Sequence, residues 1–282
     1  MMRLAEIQAH IGSMTELLDV VGAMRSLAGM RMQEAQRALP GIRRYADTMA
    51  AAIADTLLFV EEPAPPHRVA RDALGLVLCT AEHGFVGGFN EHLLDAAAAV
   101  LKPGDTLFVL GSRGGAIAEE RRMPADWLQP MPSRCAAAPE TIHGLSSDLY
   151  RRVAEGAVAR VEVMFARAGA RETPTIARHL LLPLDLSTLE PRQARQAPLH
   201  NLDALVLQEK LIAEYVFALL TEAAVESIAS ENAARFAAME SAHDSVSHKL
   251  ESLHHDARQA RQSEITTELL DLVTGAEALS GR

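Results

Sequence analysis

Aromatic side chains make up only 4% of this sequence, with a single tryptophan. That scarcity, beside abundant alanine, argues against a β-rich fold and suits long helices. Cysteine is nearly absent, with Cys79 and Cys135 standing alone. Two thiols are too few for a disulfide framework, and the amphipathic start MMRLAEIQAH does not read as a secretory signal, so a reduced cytosolic setting is expected. No apolar run approaches the ~18 residues that mark a membrane span. Positive charge is short too: 27 Lys and Arg against 37 Asp and Glu give a net charge of −10. A general nucleic-acid or lipid-surface binder is thereby excluded. Proline and glycine are missing altogether from Leu205 through Val273.

That last absence predicts an uninterrupted helix about 100 Å long at about 1.5 Å per residue. Such a helix exceeds the width of one domain and must lie against another helix or another protein. Val246, Leu250, Leu253, Ala257 and Ala260 step by four and three, the seam of a coiled coil. Ile265, Leu269, Leu272 and Val273 form a second stripe with Thr274-Gly275 as its expected stop; Ile212, Val216, Leu219 and Ala223 form a third. The start of the chain offers the partner. Leu4, Ile7, Ile11, Met14, Leu18, Val21, Ala28, Met32, Ala35 and Leu39 keep the same rhythm, and only Arg25 breaks it. Pro40-Gly41 predicts a kink or interruption, with the pattern resuming at Tyr45, Met49, Ala52, Ile53 and Leu57.

Between the ends the period changes. Glu61–Pro66 reads as a proline-rich linker. Leu74–Thr80 reads as a buried strand, Glu91–Leu101 as helix, Thr106–Leu110 as a second strand, Ser146–Phe165 as helix and Thr175–Leu182 as a third strand. Residues 123–140, with four prolines, and 183–200 read as loops. The expected fold class is α/β: a long antiparallel coiled coil of N- and C-terminal helices with a small central Rossmann-like α/β domain. The expected divisions are 1–60, a linker at 61–73, the domain at 74–200 and the last helix at 201–282.

Little in the sequence points to catalysis. The Gly84–Asn90 run follows a strand and opens a helix, where phosphate loops sit, but it lacks both the Gly-Lys-Ser/Thr ending and the G-x-G-x-x-G spacing. A tight turn needing positive φ is the expected reading, and Gly111–Gly115 is similarly placed. His243, His248, His254 and His255 lack the i, i+4 spacing of a helical metal pair. There is no G-x-S-x-G, H-E-x-x-H or C-x-x-C, and Cys79 lies in a strand pattern that suits the core. No catalytic, cofactor or metal residue is expected. The helix arginines carry more interest: Arg25, Arg31, Arg235, Arg258 and Arg261. Most exposed arginines merely salt-bridge their own helix face, but Ala257–Gln262 sets two Arg-Gln pairs beside the seam, good donors for a partner's carboxylates.

Ala260-Arg261-Gln262-Ser263-Glu264-Ile265-Thr266-Thr267-Glu268-Leu269 through Gly275-Ala276 has the form A-R-Q-x-x-I-T-x-E-[LI]-x-[ED]-[IL]-x-x-G-A. Ala229-Ser230-Glu231-Asn232-Ala233-Ala234-Arg235-Phe236-Ala237-Ala238-Met239 has the form A-S-E-x-x-A-R-M-x-A-M. With Ala23-Met24, Tyr45–Met49 and Gly84-x-x-Gly87-Gly88-x-Asn90, the whole chain resembles the gamma subunit of rotary F-type ATP synthases. The resemblance implies a non-catalytic rotor shaft: paired terminal helices inside a hexamer of alpha and beta subunits, turned by ion flow through a membrane c-ring. The epsilon subunit is an implied further partner, with one copy of this chain per complex, no nucleic acid and no cofactor. The implied place is peripheral, on the cytoplasmic side of a bacterial inner membrane. By the same match, Met24, Arg235, Arg261, Gln262, Thr266, Glu268 and Asp271 are the expected subunit-contact and coupling positions, and Arg25, a charge at a seam position that needs a partner, is added to them. Asp19 and Gly22 stand where the family places lysines, His243-Asp244-Ser245 where it has T-D-N, and Arg44 where it has proline. A less basic shaft, from a divergent branch, is therefore expected. A coiled-coil adaptor with an α/β head explains the heptads equally, without accounting for the ending; a nucleotide-dependent enzyme would need the Gly84–Asn90 turn as its site.

Overall fold

The structure, a computed structural model, describes residues 4–57, 73–167, 175–185 and 199–280. Two helices bound it: α1, Leu4–Thr56, and α5, Ala204–Ser280. The chain forms two compact units, Ala28–Arg235 on the one hand and Met1–Leu27 with Phe236–Arg282 on the other.

The larger unit is built on a five-stranded sheet in the order β3-β2-β1-β4-β5. Its strands are β1 (Leu74–Cys79), β2 (Thr106–Leu110), β3 (Trp127–Gln129), β4 (Arg160–Arg167) and β5 (Thr175–Leu182). The first four are parallel, and β5 runs antiparallel to β4. Every residue of β1 and β2 is buried, as continuous apolar strands must be when helices cover both sheet faces. On one face Leu76, Leu78, Val109 and Met164 meet Leu93 and Leu94 of α2 (Phe89–Ala98) and Ala118 of α3 (Ser112–Glu120). On the other, Val77, Phe108, Val163 and Phe165 meet Ile142, Leu145 and Leu149 of α4 (Ala138–Ala154). Ala35 and Leu39 of α1 and Val216 to Ala229 of α5 complete that second layer. Three layers result, α/β/α, Rossmann-like in strand order.

Several expectations are corrected here. Ser146–Phe165 is not one helix: α4 ends at Ala154, Gly156 takes φ +71°, and β4 begins at Arg160. Val161-Glu162-Val163-Met164-Phe165 is a strand buried on both faces, so it shows no alternation to read. Its one charge, Glu162, is clamped by Arg178 and by Arg160 at 3.1 Å. The 123–140 stretch holds a short edge strand, β3, between Pro124 and Pro130, and the first residues of α4. Pro40 does not interrupt α1. Its ring lies on the exposed side while Ala35 and Leu39 are held in the core, so the one missing hydrogen bond faces water. Helix α5 likewise runs past Thr274-Gly275 to Ser280. The linker at 61–66 lies outside the described residues, as does most of 183–200.

In the larger unit α1 and α5 are antiparallel neighbours. Tyr45 donates to Glu214 at 2.8 Å, and Arg43 donates to Glu222 at 2.8 Å and to Glu226. The bond to Glu222 and the nearby carboxylates raise the Arg43 pKa, and the bond to Glu214 raises that of Tyr45. In the smaller unit the same sense holds: Leu4, Gln8 and Ile11 share a groove with His254, Ala257, Arg258 and Arg261. Ile7, Val21, Leu250 and Leu253 are buried and the remaining seam positions half-buried, the heptad pattern in space.

Candidate functional site

In a doubly wound sheet the place for a ligand is the crevice beyond the carboxyl ends of the strands, where the strand order switches. Here the switch lies between β1 and β4, and α5 fills it. Ser227 donates to the Cys79 carbonyl at 2.9 Å, and Ser230 to the Ala166 carbonyl at 2.9 Å. Carbonyls at the C-terminal ends of two neighbouring strands are thus capped by one helix. The N-terminus of α3, the usual anion seat, is also taken. Glu82 accepts from the Ser112 backbone and hydroxyl, both at 2.9 Å, and from the Met131 backbone at 2.8 Å. A protein carboxylate sits where a phosphate would sit. Gly111 and Gly114 are there for close approach: a Cβ at Gly114 would lie 2.1 Å from the Thr80 hydroxyl. Together these contacts fill the β1–β4 crevice and the α3 N-terminus with the chain's own groups.

The Gly84–Asn90 turn is a scaffolded loop. Asn90 is buried and its side-chain carbonyl accepts from Ala81 N at 2.9 Å. Gly87 takes φ +57°, the positive φ the turn was expected to need, and so does Phe85 at +61°. Arg235 reaches into this loop from α5. It is 6% exposed and donates to the Gly84 and His83 carbonyls at 3.2 Å each, to Asn232 at 3.2 Å and to Glu231 at 2.5 Å. Glu231 in turn accepts from Glu82 N at 3.4 Å. Arg235 is therefore an internal buckle, its donors turned into its own chain. Glu82 and Ser227 are not among the expected positions, and Ser230 and Glu231 are expected only as letters of the A-S-E motif. The signal for the three on α5 is polar side chains inside a stretch that is buried almost all round, from Ala223 to Arg235; Glu82, in the loop after β1, carries no such signal.

The other expected positions lie in the smaller unit. Met24 is half-buried, and Arg25 leaves the seam to meet Glu240 at 3.6 Å. Arg261, Gln262, Thr266, Glu268 and Asp271 are all exposed. The Thr266 hydroxyl donates within the helix to the Gln262 carbonyl at 2.8 Å. Ile265, Leu269, Leu272 and Val273 are each more than half exposed. The end of α5 thus offers an apolar stripe flanked by charges with little of its own chain to cover it. Among the described residues no group of three His, Cys, Asp or Glu comes together to hold a metal. Burial pushes the Cys79 thiol up to about 12 and Cys135 up to about 11, which leaves neither as a nucleophile at neutral pH. Among the described residues no helix is long and apolar enough to cross a membrane.

The chain matches the family described as ATP synthase over residues 3–279. It is 28% identical to the ATP synthase gamma chain of Saccharopolyspora erythraea, covering 99% of this chain and 98% of the relative. To the gamma chain of Chlorobium chlorochromatii it is 28% identical, with both chains covered in full. Among solved structures it resembles a chain of the Euglena gracilis mitochondrial ATP synthase with a TM-score of 0.65 at 14% identity, covering 98% of this chain and 94% of the other. A chain of the Tetrahymena thermophila enzyme's central stalk and c-ring gives 0.55 at 20%, covering 79% and 99%. At those identities the structures speak for the fold. This chain belongs to the ATP synthase family as a gamma chain, the non-catalytic central-stalk subunit of the F-type enzyme.

Proposed function

We propose that this chain turns inside an alpha-beta hexamer and carries torque between it and a membrane c-ring, with the epsilon subunit seated beside the α/β unit. One copy serves each complex, peripheral to the membrane on the cytoplasmic side of a bacterial inner membrane. The observation that carries this reading is the end of α5, where a family-specific sequence coincides with exposed charge and uncovered apolar surface. Met24, Arg25, Arg261, Gln262, Thr266, Glu268 and Asp271 are the contact positions in this reading. Exposed charged groups suit contacts that form in one orientation and release in the next, since water and salt keep them shallow. Arg235 serves from inside. Asp19 and Gly22 leave the first helix less basic than the family pattern, so partner loops facing it need less acid.

The test is a pull-down of the tagged chain from gently solubilised native membranes with quantitative mass spectrometry. Alpha and beta subunits are expected in equal amounts at three copies each per copy of this chain. Recovery without any ATPase subunit, from cells that express the complex, would return the chain to the adaptor reading.

A further inference from the structure

Between Glu222 and Arg235, about 20 Å of helix, the contacts of α5 in the larger unit change character. Here the helix is bonded to its surroundings as well as packed against them. Glu222 accepts from Arg43 of α1 at 2.8 Å, and Glu226 accepts from Arg43 and stands 3.5 Å from Arg167 at the end of β4. Ser230 donates to the Ala166 carbonyl of β4 and Ser227 to the Cys79 carbonyl of β1, each at 2.9 Å. Glu231 accepts from Glu82 N at 3.4 Å, and Arg235 donates to the His83 and Gly84 carbonyls at 3.2 Å, all in the loop after β1. With about 3.6 residues per turn, these six side chains leave α5 over about 220° of its circumference. Round the helix they run Glu222, Glu226, Ser230, Ser227, Glu231, Arg235, and their partners follow in the order α1, β4, β1 and loop.

A collar of this kind does what apolar packing does not. Burial of apolar surface is non-directional, so it survives a small turn of the helix about its own axis. Hydrogen bonds weaken steeply as they stretch and tilt, and bonds spread over more than half a circumference are strained by a turn in either direction. Stability alone does not call for Glu226. It is 4% exposed, and a buried ion pair is often matched or bettered by apolar side chains filling the same space. What the carboxylate adds is a fixed bearing, tying α5 to a second helix and to the sheet at one point. Only α1 and α5 continue from this unit into the smaller one, so a twisting force applied to the sheet leaves it through those two helices. We propose that the 222–235 stretch is a rotational lock, with Glu226 as its central positioning residue. It fixes the angle of α5 about its own axis within the α/β unit, and torque passes from sheet to helix there. The inference rests on the shaft reading above.

The test assembles the full chain with the alpha-beta hexamer, fixes the hexamer to a surface and follows a gold rod attached to the α/β unit while rotation is paused. The width of the rod's angular distribution reads how tightly that unit grips the shaft. E226Q and S227A/S230A should each widen the distribution, and the triple variant E226Q/S227A/S230A should widen it several-fold. L220A is the comparison. Leu220 is 1% exposed in the core on the same helix, so its loss costs stability while every bond of the collar stays in place, and the distribution should match wild type. In the free chain, spin labels on non-natural residues at the exposed positions Ala98 of α2 and Lys210 of α5 should show a broader spread of distances for the triple variant and not for L220A. A triple variant as narrow as wild type in either measurement, or L220A as broad as the triple, would overturn the proposal. Failure of the wild-type chain to assemble with the hexamer would instead overturn the shaft reading, and the label distances would still decide the lock.

Discussion

Consider replacing Leu269 and Leu272 together by alanine. In the free chain these side chains are 57% and 71% exposed, so folding has gained little from them. Alanine is at least as good a helix former as leucine. The double variant should therefore unfold within about a degree of wild type in a thermal scan. Assembly is another matter. Burying a leucine side chain from full exposure stabilises by about 1.5–3 kcal/mol, and over half of each here remains to be covered. Losing both should weaken binding to the alpha-beta hexamer by about 2–3 kcal/mol, a ~30- to 150-fold rise in Kd. Titrating labelled chain into purified hexamer reads this directly. Leu253→Ala is the control: it is 6% exposed, so the loss should fall on the chain's own stability, by about 2–5 kcal/mol. An unchanged Kd for the double variant would mean the stripe stays wet in the complex. A free-chain stability loss above about 1 kcal/mol, large against propensity differences of this kind, would mean that the stripe packs on its own chain; either result refutes the argument.

Gly114→Ala places a Cβ 2.2 Å from the Thr80 Cβ, so α3 must move off β1; about 1–3 kcal/mol or more should be lost, seen as a lower urea midpoint. Glu226 is buried between Arg43 and Arg167, which are 48% and 40% exposed. Glu226→Gln should cost roughly 1–2 kcal/mol, because the arginines can turn to water; an increase in urea stability would show that burying the carboxylate outweighs its pairing. Cys79 binds its proton more tightly when folded, about 12 against an ordinary 9.0. The thiol's contribution to stability is thus fully present below pH 9 and is lost as pH rises from 9 toward 12, by at most about 1.4 kcal/mol per pH unit. Cys79→Ala should flatten that alkaline slope in equilibrium unfolding, whatever it does to stability at neutral pH.

Local sequence determined the elements whose burden is one-sided or unbroken. The heptads of α1 needed only spacing, and the absence of proline and glycine through Val273 was enough for α5. The buried runs of β1 and β2 were legible from length and apolar content. β4 was not, because a strand buried on both faces shows no alternation and its Glu162 reads as a surface charge until the clamping arginines of the sheet pay for its burial. Pro40 reads as a break until the core on either side of it is known. The site divides in the same way. Of the proposed contact positions, Arg261 to Asp271 are exposed helix residues that a linear motif alone picks out. Arg235 belongs to the same family pattern, yet its partners His83 and Gly84 lie about 150 positions away, and no local rule connects them. Tertiary structure alone decides that the crevice is filled by α5, because a crevice is a relation between the ends of two strands and a helix whose contacts lie 148 and 64 residues further along the chain.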